Sequence, residues 1–271
     1  MKIAITGATS GIGWETAKAL LINGHELIFF IRDKEKALSL IKDLPQKKQI
    51  QLIACDLADL KTVKKAAKTL VKSCPEGIDV LINNAGGTFN ERKVTKDGFE
   101  MHLSVNHLGH FLLVNSMIDY LKKHDTKIIN LSSEAHKAAT IDFSDLNLEK
   151  SYSTIKAYGN VKLFNLLFTK SLVDRGFTSY AVHPGVISSS FGDNLSPGFK
   201  VLWFLGQPLM KSAREGASTS IYLAINKISP DKNGEYFKNQ KVASCTKQAK
   251  SETMREKLWE RSEEMLMPFS A

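Results

Sequence analysis

The stretch Lys2–Gly13, KIAITGATSGIG, decides the reading of this chain. Lys2–Thr6 is a short apolar run of strand character. It leads straight into three glycines, Gly7, Gly11 and Gly13, and then into the helical periodicity of Ile12–Asn23. Glycines between a strand and a helix permit a tight turn and let the backbone approach a pyrophosphate, whose charge the helix N-terminus favours. The spacing is not Gly-x-Gly-x-x-Gly, so the reading rests on the strand–turn–helix context of Thr6–Gly13 rather than on that fingerprint.

Outward from this turn, strand-like runs alternate with helical patterns. Glu26–Ile31, Ile50–Cys55, Asp79–Ile82, Lys127–Leu131 and Thr178–His183 are short, apolar and bounded by turn residues, and a short seventh strand is expected near Glu235–Phe237. Between them, helical periodicity appears at Lys34–Leu44, Leu60–Ser73, Gly98–Lys123 and Ala157–Asp174. That rhythm specifies an α/β fold, a doubly wound, Rossmann-type parallel sheet of about seven strands with helices on both faces. No linker, repeat or low-complexity tract divides the 271 residues, so one domain is expected over 1–271. Ser188–Lys211 breaks the rhythm with Gly, Pro and bulky apolar residues and is expected to be a substrate lid.

At 43% hydrophobic and 24% charged, the chain has the make-up of a globular protein and not of a disordered or collagen-like one. The net charge of +9 raises nucleic acid as a partner. Yet the lysines of Lys61–Lys72 alternate with apolar residues at helical spacing, a solvated helix face, and no recognition motif accompanies them, so no nucleic acid is expected. The longest apolar runs, Leu27–Ile31 and Val201–Leu205, are far shorter than the roughly 20 residues of a membrane span. Met1 and Lys2 run directly into the first strand, so no signal peptide is expected. Cys55, Cys74 and Cys245 are odd in number and lack Cys-x-x-Cys spacing, which points to a reducing compartment, the cytoplasm, and to no structural zinc.

At the end of the second strand, about 20 residues beyond the turn, a dinucleotide fold reads the adenosine ribose. Arg32 stands there. Its guanidinium matches a 2′-phosphate, so NADP(H) is the expected cofactor; Asp33 is the alternative ribose ligand, and it is equally explained as a helix N-cap.

Tyr158 and Lys162 form Tyr-x-x-x-Lys, and positions i and i+4 share a helix face. The ammonium is expected to lower the tyrosine pKa from about 10, making Tyr158 a usable acid or base. Ser133 is expected to bond the substrate oxygen. Tyr152 and Lys156 repeat the spacing, but Tyr152 precedes the apolar helix in a polar loop, so Tyr158 is preferred. His102, His107 and His110 share one expected helix with no carboxylate partner arranged beside them, and a helix-surface or subunit-contact role is expected rather than a metal site.

Together, Thr-Gly-x-x-x-Gly-x-Gly at TGATSGIG, NNAG at Asn83–Gly86, Asn106 in VNHLGHF, the Ser133/Tyr158/Lys162 set and His183-Pro184-Gly185 resemble the short-chain dehydrogenase/reductase family in family order over nearly the whole chain. DGFEMHLSVNHLGHFLL, AYGNVKLFNLLFT and YFKNQKV look like its retinol dehydrogenase and WW-domain oxidoreductase branch. The resemblance implies a cofactor site of Gly7, Thr9, Ser10, Gly11, Ile12, Gly13, Arg32, Asp56, Leu57, Asn83, Ala85, Gly86, Tyr158, Lys162, Pro184, Gly185, Ile187 and Ser189. Asp56 and Leu57 would border the adenine, and the Pro-Gly turn the nicotinamide. His183 is expected to be structural. Asn106 would complete a water relay beside the catalytic Ser133, Tyr158 and Lys162.

Ser189 stands where the family commonly has Thr, and Trp14 where a small or charged residue is usual. The N-terminal membrane anchor of many animal relatives is expected to be absent. The implied reaction is hydride transfer between NADP(H) and a small-molecule carbonyl or alcohol, a lipophilic aldehyde or ketone of the retinal-like class. A homodimer or homotetramer through the two long helices is also implied. A redox sensor or scaffold that binds NADP(H) without turnover is the alternative of another class.

Overall fold

The computed structural model describes residues 1–185 and 211–270. Ile187, Ser189 and the expected lid, except Lys211, lie outside the described residues. One sheet runs through the molecule: β1 (Lys2–Thr6), β2 (Glu26–Ile31), β3 (Ile50–Ala54), β4 (Val80–Asn83), β5 (Lys127–Leu131), β6 (Ser179–His183), β7 (Tyr236–Lys238) and β8 (Lys241–Val242), in the order β3-β2-β1-β4-β5-β6-β7-β8. All neighbours are parallel except β7 and β8. Crossing from β3 back to β4 reverses the winding beside β1, so the Gly7–Gly13 turn sits at the topological switch point where α/β sheets take their ligands.

The fold class is that of the sequence reading, with eight strands where about seven were expected. β8 has two residues, and the turn before it is made by Asn239 and Gln240 at φ +53° and +62°. Two left-handed residues form the hairpin turn that matches strand twist. Glutamine there gives no Asn-Gly-type signal, so the hairpin is silent in the sequence.

Side chains alternate across the strands. Ala4, Ile28, Phe30, Leu81, Ile128 and Ala181 face one core, and Ile3, Ile5, Phe29, Ile82, Ile129 and Val182 the other. Helices α1 (Gly11–Ile22) and α2 (Lys34–Ile41) cover the second core. Helix α3 (Leu60–Ser73) covers the first with Val63, Ala66, Ala67 and Leu70, leaving Lys61, Lys65, Lys68 and Lys72 exposed, as its amphipathic pattern required.

The expected helix Gly98–Lys123 is broken into four: α4 (Met101–Leu103), a π-turn (Ser104–Leu108), α5 (Gly109–Asn115) and α6 (Ile118–Lys123). Gly98 at φ +88° cannot begin a helix, and the Glu100 carboxylate instead caps the start by accepting from the Leu103 amide. The long helix α7 (Thr154–Asp174) starts three residues before the expected Ala157, because Ser153 caps it by accepting from the Lys156 amide. Helix α8 (Ala213–Ile225) begins with a reciprocal Ser212/Glu215 capping box and packs on α1.

The short α9 (Lys247–Lys250) and the C-terminal α10 (Glu252–Ser270) close the first core. From α10, Leu258, Trp259 and Leu266 are buried against it. The Arg175 guanidinium lies 3.6 Å over the Trp259 ring and pairs with Glu256 through two bonds of 3.2 Å, and Arg255 pairs with Asp174. Thus α10 packs over α7, one of the helices that the family resemblance assigns to subunit contact.

Candidate active site

The glycine turn is built to close tolerances. A β-carbon on Gly13 would fall 2.1 Å from the Gly7 carbonyl and 2.4 Å from Asn84 Nδ2, while Gly7 and Gly11 hold φ of +69° and +50°. Only glycine lets α1 begin this close to β1. Asn84, which sequence reasoning passed over between Asn83 and Ala85, latches the turn: its Nδ2 donates to the Thr6 carbonyl at 2.8 Å and to the Gly7 carbonyl at 3.3 Å. Asn83 faces away, its side chain buried and donating to Asn130 at 2.8 Å.

The Thr6 hydroxyl accepts from the Asn84 and Ala85 amides at 3.0 and 2.9 Å, so its own proton goes to His110 Nε2 at 2.9 Å. His110 is thereby a structural acceptor, and burial pushes its pKa down to about 3.

The turn fits the diphosphate of a dinucleotide. Ser10, the α1 N-cap, is exposed and makes no side-chain capping bond, a β-carbon on Gly11 would meet nothing within 4 Å, and the first turn of α1 carries no acidic residue. Thr9 and Ile12 flank this opening, both partly buried. Trp14 leans on the second core with Lys18 over its ring at 5.7 Å. Arg32 is exposed with no ion pair among the described residues, whereas Asp33 is occupied as the α2 N-cap, accepting from the Lys36 amide at 2.9 Å. Just beyond β3, Asp56 accepts from the Ala58 amide, and Leu57 is buried against Gly109.

At the end of β5, Ser132 Oγ donates to the Lys162 carbonyl at 2.7 Å, and the Leu131 carbonyl accepts from both Lys162 Nζ (3.2 Å) and Asn165 Nδ2 (2.8 Å). These bonds tie α7 to the strand and bring Tyr158 and Lys162 beside Ser133, which hydrogen-bonds the Tyr158 side chain. Gly159 allows the close approach, since a β-carbon there would stand 3.1 Å from the Ala135 carbonyl. Lys162 Nζ lies 5.3 Å from the Tyr158 ring centre.

The electrostatics correct one expectation. Burial dominates both groups: it pushes Tyr158 up to about 12 against the pull of the Ser133 bond, and it pushes Lys162 down to about 8. The ammonium, directed at the Leu131 carbonyl, does not bring the phenol toward neutral pH. Tyr158 is a protonated donor there.

Asn106 sits in the π-turn, fully buried, and grips Gly87 from both sides: Oδ1 accepts from the Gly87 amide at 3.0 Å and Nδ2 donates to its carbonyl at 3.1 Å. Gly86 is the point of closest approach, where a β-carbon would stand 2.4 Å from Asn106 Oδ1 and 3.6 Å from Lys162 Nζ. His183 ends β6, buried, and accepts from the Glu134 amide at 3.3 Å through Nδ1. Pro184 and Gly185 follow it, Gly185 at φ +101°.

Tyr152 lies before α7 and donates to the Phe89 carbonyl at 3.1 Å, so the repeated spacing at Tyr152 and Lys156 does not form a second pair of the same kind. The three histidines are not on the surface: His102, His107 and His110 are 0%, 1% and 2% exposed, because the segment carrying them is packed on every side. His107 bonds Ser262 of α10 at 2.9 Å, and His102 does have a carboxylate partner, Glu100, at 2.8 Å. Among the described residues no cluster could hold a metal ion, and no helix is long and apolar enough to cross a membrane.

The short chain dehydrogenase family model matches residues 1–198. Retinol dehydrogenase 12 of Homo sapiens is 39% identical over 272 residues, covering 97% of this chain and 85% of the relative, and retinol dehydrogenase 11 of Homo sapiens is 37% identical with the same coverage. Among solved structures, an uncharacterised protein of Mycobacterium paratuberculosis superposes with a TM-score of 0.79 at 29% identity, covering 98% of this chain and 93% of that one. The NADPH-bound carbonyl reductase from chicken fatty liver shares the fold with a TM-score of 0.67 at 22% identity, over 90% and 98% of the two chains. The chain belongs to the short-chain dehydrogenase/reductase family, in its retinol dehydrogenase-like branch, and is a nicotinamide-dependent oxidoreductase of CH–OH and C=O groups.

Proposed function

We propose that the protein is an NADP(H)-dependent reductase of lipophilic aldehydes or ketones. The observation that carries this is the Tyr158–Lys162 pair on one face of α7, bound to the end of β5 beside Ser133. A bound nicotinamide supplies the hydride. Tyr158, protonated through neutral pH, donates the proton to the carbonyl oxygen, and Ser133 orients that oxygen and stabilises its developing charge. Lys162 would hold the nicotinamide ribose, and the Asn106 backbone carbonyl would hold a water of the proton relay, its side chain being engaged with Gly87.

The turn Gly7–Gly13 holds the diphosphate, and Arg32 selects the 2′-phosphate, since Asp33 is committed to its cap. Asp56, Leu57, Ala85, Gly86, Pro184 and Gly185 line the cofactor site, Asn83 contributes its backbone alone since its side chain is held by Asn130, and Ile187 and Ser189 join them outside the described residues. The lipophilic class is supported by the names of the retinol dehydrogenase relatives and by the aromatic side chains of Phe89 and Tyr152, which stand around His102 as Tyr158 does. A single domain and a cytoplasmic location complete the proposal, the latter resting on the free Cys55, Cys74 and Cys245.

The test is NADPH and NADH consumption across aliphatic aldehydes, retinal, aromatic ketones and quinones. NADPH-selective turnover is expected, with Tyr158→Phe slower by about 10² to 10⁴-fold and Arg32→Glu shifting preference toward NADH. Tight NADPH binding without turnover on any of these substrates overturns the reading in favour of a sensor or scaffold.

A further inference from the structure

One buried polar group has no part in that mechanism. Glu100 and His102 are 1% and 0% exposed. The Phe89 amide reaches His102 Nε2 at 3.0 Å, and a backbone amide can only donate, so Nε2 carries the lone pair. The ring proton is then on Nδ1, which donates to Glu100 Oε1 at 2.8 Å, while Glu100 Oε2 accepts from the Leu103 amide at 2.9 Å. The carboxylate therefore fixes the tautomer, and the tautomer fixes the loop. Burying a carboxylate is costly, and an apolar pair would fill the same space, so these polar groups point to positional control.

What they control is a segment without regular structure that lies against the active site. Residues 87–89 have four of their backbone groups satisfied by side chains: the Gly87 amide and carbonyl by Asn106, the Phe89 amide by His102, and the Phe89 carbonyl by Tyr152. Asn106 Nδ2 also donates to the His102 carbonyl at 3.2 Å, joining the two clamps. The Phe89 ring stands edge-on to His102 at 5.0 Å, and His102 lies 6.4 Å from the rings of both Tyr152 and Tyr158.

We propose that Glu100 and His102 are positioning residues that set the distance between the Gly87–Phe89 wall and Tyr158, so that Phe89 forms the surface on which the carbon chain of an aldehyde lies. This rests on the reductase reading for its substrate, but not for its geometry. Glu100→Gln keeps the shape and breaks the logic. The amide offers one acceptor and one donor where two acceptors are needed. It must either face the Leu103 amide donor-to-donor, or donate to His102 Nδ1 and drive the ring proton to Nε2, against the Phe89 amide.

The test combines ring and amide NMR of the full chain without cofactor with steady-state kinetics on nonanal and NADPH. In the wild type, His102 Nε2 is expected to give a pyridine-like and Nδ1 a pyrrole-like nitrogen shift, with the Phe89 amide protected from exchange. Glu100→Gln and His102→Phe are expected to lose that protection and to raise KM for nonanal about tenfold, the worth of one hydrogen bond, with kcat changed much less. His102→Gln, whose carbonyl can accept from Phe89, is expected to recover most of both.

A protonated Nε2 in the wild type, or equal behaviour of His102→Phe and His102→Gln, overturns the proposal, and neither result depends on Glu100→Gln folding. If the wild type reduces no aldehyde with either cofactor, the reductase reading fails. The ring shifts and amide exchange still decide whether the clamp exists.

Discussion

Lys162→Met isolates the cost of the buried ammonium. Lys162 is buried with its pKa pushed from the ordinary 10.5 to about 8, a difference equivalent to about 3 kcal/mol at 1.36 kcal/mol per unit. Between those values the unfolded chain binds the proton and the folded one does not, so wild-type stability rises with pH from about 8 to 10.5. Below pH 8 the penalty is present in full. Methionine keeps the stem and removes the charge, and the Leu131 carbonyl keeps its bond from Asn165.

The variant is therefore expected to be more stable than the wild type by about 2 to 3 kcal/mol at pH 7, less the small loss of one bond. The gap should shrink to near zero by pH 10.5. Urea unfolding of both proteins without cofactor at pH 7, 8.5 and 10 reads the difference, in which other titrating groups cancel. A variant no more stable than the wild type at pH 7, or a gap independent of pH, refutes the reasoning. The same substitution should abolish turnover, a separation of stability from function expected where an active site carries strain.

Two further substitutions test the frame. Gly13→Ala places a β-carbon 2.1 Å from the Gly7 carbonyl; forcing α1 off the turn is expected to cost about 1 to 3 kcal/mol in urea unfolding and to weaken NADPH binding at least about tenfold by fluorescence titration, and unchanged binding would remove the turn from the cofactor site. Trp259→Ala deletes a buried ring that touches Phe111 and carries Arg175, and a loss of about 3 to 5 kcal/mol is expected; a loss below about 1 kcal/mol would show that α10 is no part of the cooperative core.

Local rules made most of the architecture legible. Alternation of apolar runs located β1 to β7, and the Tyr158/Lys162 spacing located the candidate catalytic face, because both depend on residues near one another in sequence. What stayed hidden depends on distant partners. Asn84 reads as an ordinary turn residue until β1 and β4 are side by side. His102, His107 and His110 read as surface because their partners, Glu100, Ser262 and Thr6, become relevant only when the segment is packed. Glu100 is only two residues from His102, yet a helix pattern starting at Gly98 turns the two apart; its carboxylate reaches the ring because the helix begins at Met101. The pKa of Tyr158 was misjudged for the same reason: an adjacent charge is visible in sequence, and burial is not.

The π-turn at Ser104–Leu108 makes chain length in this segment a matter of phase. One residue advances an α-helix by about 100°. With the wide turn in place, Asn106 grips Gly87, His107 meets α10, His110 meets Thr6 and Phe111 enters the core. A π-turn holds about one residue more than an α-turn, so deleting one of the five would let the helix relax to ordinary winding with His110 and Phe111 still in phase, and the loss would be local, in the Asn106 grip on Gly87 and the His107 bond to α10. A further inserted residue has no second wide turn to absorb it and would swing His110 and Phe111 off their partners by about 100°, so the segment is expected to bear a shorter count better than a longer one.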